Sequence, residues 1–244
     1  MYGNWAGESG GVFYAAYAGL VQVTNCTSSD NRAPKASFLV ASEKASLRAV
    51  RVHILNSILS DEGQMSWNGE SPIEIAYSCL RGGTNDCYDP SLRILYGHGN
   101  TDADPCFLDP GYWDPNGTAS DTNDDFFVEG DYHLKSQAGR WDPVAKGCVK
   151  DAVTSPCIDA GDPNSPIGQE PFPNGGRINM GAYGGTAEAS KSWFGAPVCE
   201  TIVSGDINGD CRVDFKDLAI LARHWLENET PTLTPPRPPP SGGR

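Results

Sequence analysis

Apolar and polar residues alternate along the first third of the chain in short, similar runs. VQVTNCTSSD at residues 21–30 matches VHILNSILSD at 52–61 at Val21/Val52, Val23/Ile54, Asn25/Asn56, Ser29/Ser60 and Asp30/Asp61. A third copy, IEIAYSC at 73–79, places Ile73 and Ile75 on the apolar positions and Tyr77 on the asparagines. A period of two over four or five residues predicts a strand with one buried face, and the polar residues after it predict a turn. The copies lie about 31 and 21 residues apart, the size of one solenoid coil. One such unit cannot bury its apolar face, but stacked on its neighbours it can. Asn25 and Asn56 would then stand at one corner, amide over amide.

The unit resembles the right-handed parallel β-helix of pectate-lyase-like and bacterial surface proteins. That resemblance implies an all-β fold. Repeats this short are also compatible with an antiparallel β-sandwich. From about residue 85 to 190 the pattern changes to runs such as DADPCFLDPGYWDPNGT and IDAGDPNSPIGQEPFPNGG. Their Asp, Pro and Gly make turns, and proline cannot donate to a central ladder. Short strands are expected at 132–135 and 177–180. The segment is expected to close the solenoid irregularly by covering its last coil, whose open edge would otherwise be bare. In order, DADPCFLDP, DYHLKSQA, SPCIDAGDP and GGRINMGAYGG resemble the C-terminal end of secreted planctomycete-type β-helix proteins over residues 101–186. That resemblance assigns no chemistry.

A different period appears near the end. GDINGDCRVDFKD at 205–217 sets Asp206, Asn208, Asp210, Asp214 and Asp217 at positions 1, 3, 5, 9 and 12 of a twelve-residue loop. Side-chain oxygens at that spacing suit a hard cation, and position 7, Arg212, adds a backbone carbonyl. Phe215, Leu218, Ala219, Leu221, Ala222, Trp225 and Leu226 recur at three and four and predict an amphipathic helix. An Asp-rich turn capping that helix, with Asp214 as N-cap, is the plainer reading. The loop resembles one repeat of a type I dockerin, which implies calcium at these six residues and a cohesin-like or surface partner. The chain departs from that family by carrying one repeat instead of two. It also has Cys211 where a glycine is expected, at a cost of about 1 kcal/mol for a side chain at positive φ. A Cys199–Cys211 disulfide would offset that strain. The expected layout is therefore coils and cap over 1–190, a linker over 191–204, the dockerin-like EF-hand-type module over 205–228 and a proline-rich tail over 229–244.

Net charge is −13, which excludes a nucleic-acid backbone as partner. No apolar run approaches the roughly 20 residues that span a bilayer. Eight cysteines without a C-x-x-C pair point away from a zinc ribbon and, beside a calcium motif, towards an oxidising compartment. Free buried thiols are the alternative. The first five residues have neither a basic nor an apolar leader region, and residues 10–14 already read as mid-domain. The chain is thus expected to be the tail of a longer extracellular or cell-surface protein, the other reading being a cytosolic one.

Catalysis finds little support. GHGNTDAD at 97–104 crowds into one turn the Gly-His-Gly and Asn-Thr-Asp motifs that polygalacturonases spread over several coils. Eight consecutive residues cannot set an acid and a base on opposite sides of a glycosidic bond. Asp121, Asp124 and Asp125 are a candidate second calcium site but read as a solvated loop. Arg48, Arg51 and Arg93 are candidate lyase bases that nothing singles out. His53, His98, His133 and His224 share no ligand spacing. The expectation is a non-catalytic, carbohydrate-associated or surface β-helix fragment. The alternatives are a polysaccharide lyase or glycoside hydrolase with upstream active-site coils, or a cohesin-binding enzyme subunit.

Overall fold

The computed structural model describes residues 1–7, 11–16, 20–34, 39–42, 51–61, 65–68, 73–83, 94–118, 120–192, 205 and 213–224. The chain divides into two compact units, Met1–Val198 and Cys199–Arg244. It is almost entirely β: sixteen strands and one helix are described.

In the first unit the strands come in successive groups of three, one group or coil to each repeat. The first gives β1 (Phe13–Ala16), β2 (Leu20–Thr24) and β3 (Thr27–Ser29). The second gives β4 (Leu39–Ser42), β5 (Arg51–Leu55) and β6 (Ile58–Ser60). The third gives β7 (Met65–Asn68), β8 (Ile73–Ala76) and β9 (Cys79–Leu80), and β10 (Ile94–Tyr96) begins a fourth. Equivalent strands pair in parallel, making sheets β1-β4-β7, β2-β5-β8-β10 and β3-β6-β9. The register is the one the repeats imply. Val21 lies opposite Val52, Val23 opposite Ile54 and Ser29 opposite Ser60. Ile73 and Ile75 then lie opposite Val52 and Ile54. Residues 1–5 add a further rung through parallel bridges from Tyr2 to Ser29 and Trp5 to Arg32.

What reads as a polar turn after each alternating run is a two-residue corner followed by another strand. Asn25, Asn56 and Tyr77 occupy these corners at φ of 49°, 50° and 47°. The left-handed region is open to asparagine, whose short side chain bonds locally, but is strained for most other residues. The next residue bonds across the coils. Ser57 Oγ accepts from the Cys26 amide (3.2 Å), Ser78 Oγ from the Ser57 amide (3.1 Å) and Asn100 Oδ1 from the Ser78 amide (2.9 Å). These amides leave the ladder at the bend, and an unpaired buried amide costs about 1–3 kcal/mol.

Val23, Val52, Ile54, Leu59, Ile73, Ile75 and Leu80 form the core inside the coils. On β6 and β9 alternate side chains point the other way. Ile58 and Cys79 join Phe107, Tyr132, Leu134, Cys157, Ile158 and Met180 in a second core. The outer face of the β3-β6-β9 sheet is therefore buried too.

The residues that cover it come from the Asp-, Pro- and Gly-rich segment. This segment contains three antiparallel pairs: β11 (Phe107–Asp109) with β14 (Asp131–Leu134), β12 (Tyr112–Asp114) with β13 (Phe126–Val128), and β15 (Arg140–Asp142) with β16 (Gly147–Val149). The strand expected at 132–135 is present as β14. That expected at 177–180 is not: this stretch is irregular and bonds through Ile178 O to the Gly161 amide (2.9 Å) and through its Met180 amide to Cys157 O (2.9 Å). Residues 94–101 cover the open edge of the third coil as expected, through β10 on β8 and the bridge from Thr101 to Cys79, but the rest of the segment lies elsewhere. It runs along the flank of the stack, touching successive coils from Tyr2 through Thr27 and Asn56 to Tyr77 and Cys79. Alternation on β6 and β9 explains this, because their outward apolar residues need a cover. Close approach fixes glycine at two points. A Cβ on Gly181, at φ 91°, would stand 2.9 Å from both Ile58 Cδ1 and Thr27 Oγ1, and one on Gly161 would meet the Ile178 carbonyl.

In the second unit the helix α1 spans Phe215–His224.

Candidate functional site

A cavity of about 770 Å³ opens where the flanking segment leaves the coils. Its apolar lining comes from Ile58 and Leu59 of β6, Cys79 of β9 and Phe107 of β11. Arg81, directly after β9, and Lys135, directly after β14, bring two cations to the wall, and Asp102 and Asp104 bring two carboxylates. Asp104 is committed locally: its Oδ1 accepts from the Cys106 amide (2.8 Å). His98 is absent from this lining, so the folded chain does not gather the GHGNTDAD residues at one surface. Arg81 and Lys135 carry no sequence signal, since each becomes a wall residue only through the packing of segment on coil.

Two thiols, Cys79 and Cys106, line this cavity, and a third, Cys157, lies in the second core with Cys79. Cys79 is 1% exposed and Cys157 is fully buried. Cys79 Sγ also lies 3.1 Å from Ala103 O. Cys106 is half-buried on the wall; burial first, then the charge of Asp104, raises its pKa against the pull of Lys135. Cys26, Cys79, Cys106, Cys148 and Cys157 are all unpaired thiols.

His133 is the one histidine with a built environment among the described residues. It is 4% exposed, stacks on Tyr183 at 3.7 Å between centroids and holds Asp131 Oδ1 2.6 Å from its Nδ1. Its burial leaves no room for a substrate. Two carboxylates are also interior. Asp61 accepts from the Asn31 amide (2.7 Å), from Asn31 Nδ2 (2.9 Å) and from the Ser28 hydroxyl, and burial raises its pKa despite these bonds. Glu170 Oε1 accepts from the amides of Asn179 and Gly185, each at 2.8 Å, while burial raises its pKa.

The candidate second calcium site does not assemble. Asp121 bonds to Asn123, Asp124 accepts from Thr118 Oγ1 (2.7 Å), and Asp125 pairs with Arg32 at 3.2 Å. Among the described residues no three His, Cys, Asp or Glu side chains come together to hold a metal.

Of the calcium-loop residues, Asp206, Asn208, Asp210 and Arg212 lie outside the described residues, as do Cys199 and Cys211. Asp214 and Asp217 are described and meet at the start of α1. Asp217, 3% exposed, accepts from the Asp214 amide through Oδ2 (2.8 Å). This is the return bond of a capping box, with Asp214 at the N-cap. Along α1, Phe215, Leu218 and Leu221 are exposed, so the apolar stripe faces solvent. Trp225 and Leu226 lie outside the described residues.

A β-helix-related family model, described as disaggregatase related, matches residues 112–161. The match runs from β12 through β16 and the turns that carry Cys157, and so falls on the flanking segment. No curated protein and no solved structure matches the chain. No described helix is long and apolar enough to cross a membrane.

Proposed function

We propose that this chain is a scaffold piece: part of a right-handed parallel β-helix from a secreted, carbohydrate-associated or surface protein, non-catalytic itself, carrying a calcium-binding dockerin-like module for attachment. The observation that carries the scaffold reading is the register of the three parallel sheets, in which each turn of chain repeats the strands and corner of the last. The family similarity over the flanking segment agrees with it. Polysaccharide cleavage needs an acid and a base facing each other across a cleft. Among the described residues, Asp104, Asp121, Asp124 and Asp125 are instead held by partners in or near turns, and Asp61 and Glu170 lie inside the fold.

The attachment reading rests on the twelve-residue loop and on α1. Asp206, Asn208, Asp210, Asp214 and Asp217 would supply side-chain oxygen, and Arg212 its carbonyl. Asp217 is already turned back to the loop end of the helix, where a position-12 ligand belongs. The exposed stripe of Phe215, Leu218 and Leu221 is the surface a cohesin-like partner would cover. Calorimetric titration of the full chain with calcium tests the module. One binding event is expected, lost in Asp206→Ala. Equal heats for both proteins would overturn it.

A further inference from the structure

The scaffold reading leaves the 770 Å³ cavity without a use. Its volume falls within the range of about 300–1,000 Å³ that small-molecule sites occupy. Its two walls come from different regions. Arg81 and Asp102 stand on the coil wall. Thr101 ties that wall to the third coil: its amide donates to Ser78 O (3.0 Å) and its carbonyl accepts from the Leu80 amide (2.8 Å). Pro105, Cys106 and Lys135 stand on the flanking wall. The Lys135 amide donates to Cys106 O (3.0 Å), its carbonyl accepts from the Ser155 amide (2.9 Å), and Ser155 Oγ donates to Pro105 O (2.6 Å). A ligand would therefore meet two walls whose backbones are already fixed.

The charges on these walls differ in their commitments. Asp104 is turned to the Cys106 amide, and Arg81 is already engaged. Lys135 is half-buried and Asp102 exposed, and among the described residues neither side chain makes a hydrogen bond or an ion pair. They line one cavity with opposite charge, yet do not reach each other. The rest of the lining is mostly apolar, with Ile58 and Phe107 deep and Pro110 and Val153 exposed. A simple cation would be repelled by Lys135. A simple anion would be repelled by Asp102 and by a chain of net charge −13. A molecule carrying both charges is attracted at each end and is neutral in the field of the whole chain.

We propose that this cavity is a binding site for a small zwitterion with an apolar middle, its carboxylate on Lys135 and its ammonium on Asp102. The two charged ends set its orientation, and the apolar spacer gains by leaving water for the lining.

The isotope-labelled full chain is titrated with ε-aminocaproate, caproate and hexylamine, which share one spacer length and differ in end charge. The shorter γ-aminobutyrate and the longer ω-aminocaprylate vary the span. Affinity is read from amide NMR shifts. At least one zwitterion is expected to bind about threefold to tenfold more tightly than caproate or hexylamine, the gain being modest because both ion pairs are partly exposed. The shifts should gather at residues 102–106 and 135. Lys135→Met should bring that zwitterion down to the affinity of hexylamine, and Asp102→Asn to that of caproate. Neither substitution removes a bond within the chain, so amide shifts far from the cavity should stay in place in both variants. Caproate or hexylamine binding as tightly as every zwitterion would overturn the proposal. So would shifts gathered elsewhere, the lack of saturable shifts with all five compounds, or an affinity that neither substitution changes.

Discussion

The coils and the segment that flanks them are both β structure, yet they are held by different means. In the coils the backbone satisfies itself, strand against equivalent strand, and side chains are needed only at the corners. In the flanking segment side chains satisfy the backbone. Asp104, Asp109, Asp114, Asp121, Asp131, Asp142 and Asp162 each accept the amide of the residue two places on. Such Asx turns replace ladder bonds where the chain cannot run straight. One region is ordered by repetition, the other by its composition, and the seam between them runs through Asn56.

Breaking that seam should have the largest effect. Asn56 Oδ1 accepts from the Asp162 amide (2.7 Å), its Nδ2 donates to Ser165 Oγ (2.9 Å) and its carbonyl accepts from the Gly181 amide (2.8 Å). Asn56→Ala should destabilise the first unit by about 2–4 kcal/mol, through a stranded amide and an alanine at positive φ. Hydrogen exchange should quicken at residues 157–181 while the amides of β5 and β8 stay protected. Uniform loosening of both regions would show that the coils depend on their flank.

A smaller effect separates the two regions by pH. Burial raises the pKa of Glu170 in the flank and of Asp61 in the coils. A carboxyl whose folded pKa exceeds its unfolded value binds more protons in the fold. Stability therefore falls as pH rises from the ordinary carboxylate range through the raised folded value, and levels off above it. Glu170→Gln keeps the Oε1 acceptor and removes the charge, so it should flatten this slope. Urea midpoints at pH 4.5 and 7.5 check it, and parallel pH profiles for mutant and wild type would count against it.

The smallest effect concerns a single turn. Asp109→Ala removes the acceptor for the Gly111 amide (2.9 Å), a bond exposed to water. The cost should be about 0.5–1 kcal/mol, because solvent replaces the lost acceptor. A loss above roughly 2 kcal/mol would mean that the Asx turns act together.

This contrast also decides what the sequence made legible. Val21, Val23 and Asn25 predict their partners Val52, Ile54 and Asn56 because the ladder repeats, and repetition is visible in a single chain. The strands β1, β4 and β7 are hidden because FYAA, LVAS and MSWN share no pattern. The flank's position depends on Ile58 and Cys79 pointing outward, which follows only once the corner at Asn56 is known to turn straight into β6. The cavity is harder still. Arg81 and Lys135 lie 54 positions apart and meet only through that lateral packing. In the second unit, capping by Asp214 and the helical period of α1 could be read directly, since both are local.

The corners have an evolutionary consequence. Asn25 and Asn56 stand 31 residues apart, and Ser57 and Ser78, at the following position, only 21. The difference falls almost wholly in the connections into and out of β4 and β7, the first strands of their coils: β3 ends at Ser29 and β4 starts at Leu39, whereas β6 ends at Ser60 and β7 starts at Met65. Insertions and deletions there leave each paired residue opposite its partner. A lineage can lengthen or shorten those connections, whereas a single codon gained between a corner and its next strand would turn Ile58 inward and Leu59 out. Drift in length is thereby channelled away from the corners and strands that meet the flanking segment, which keep their spacing.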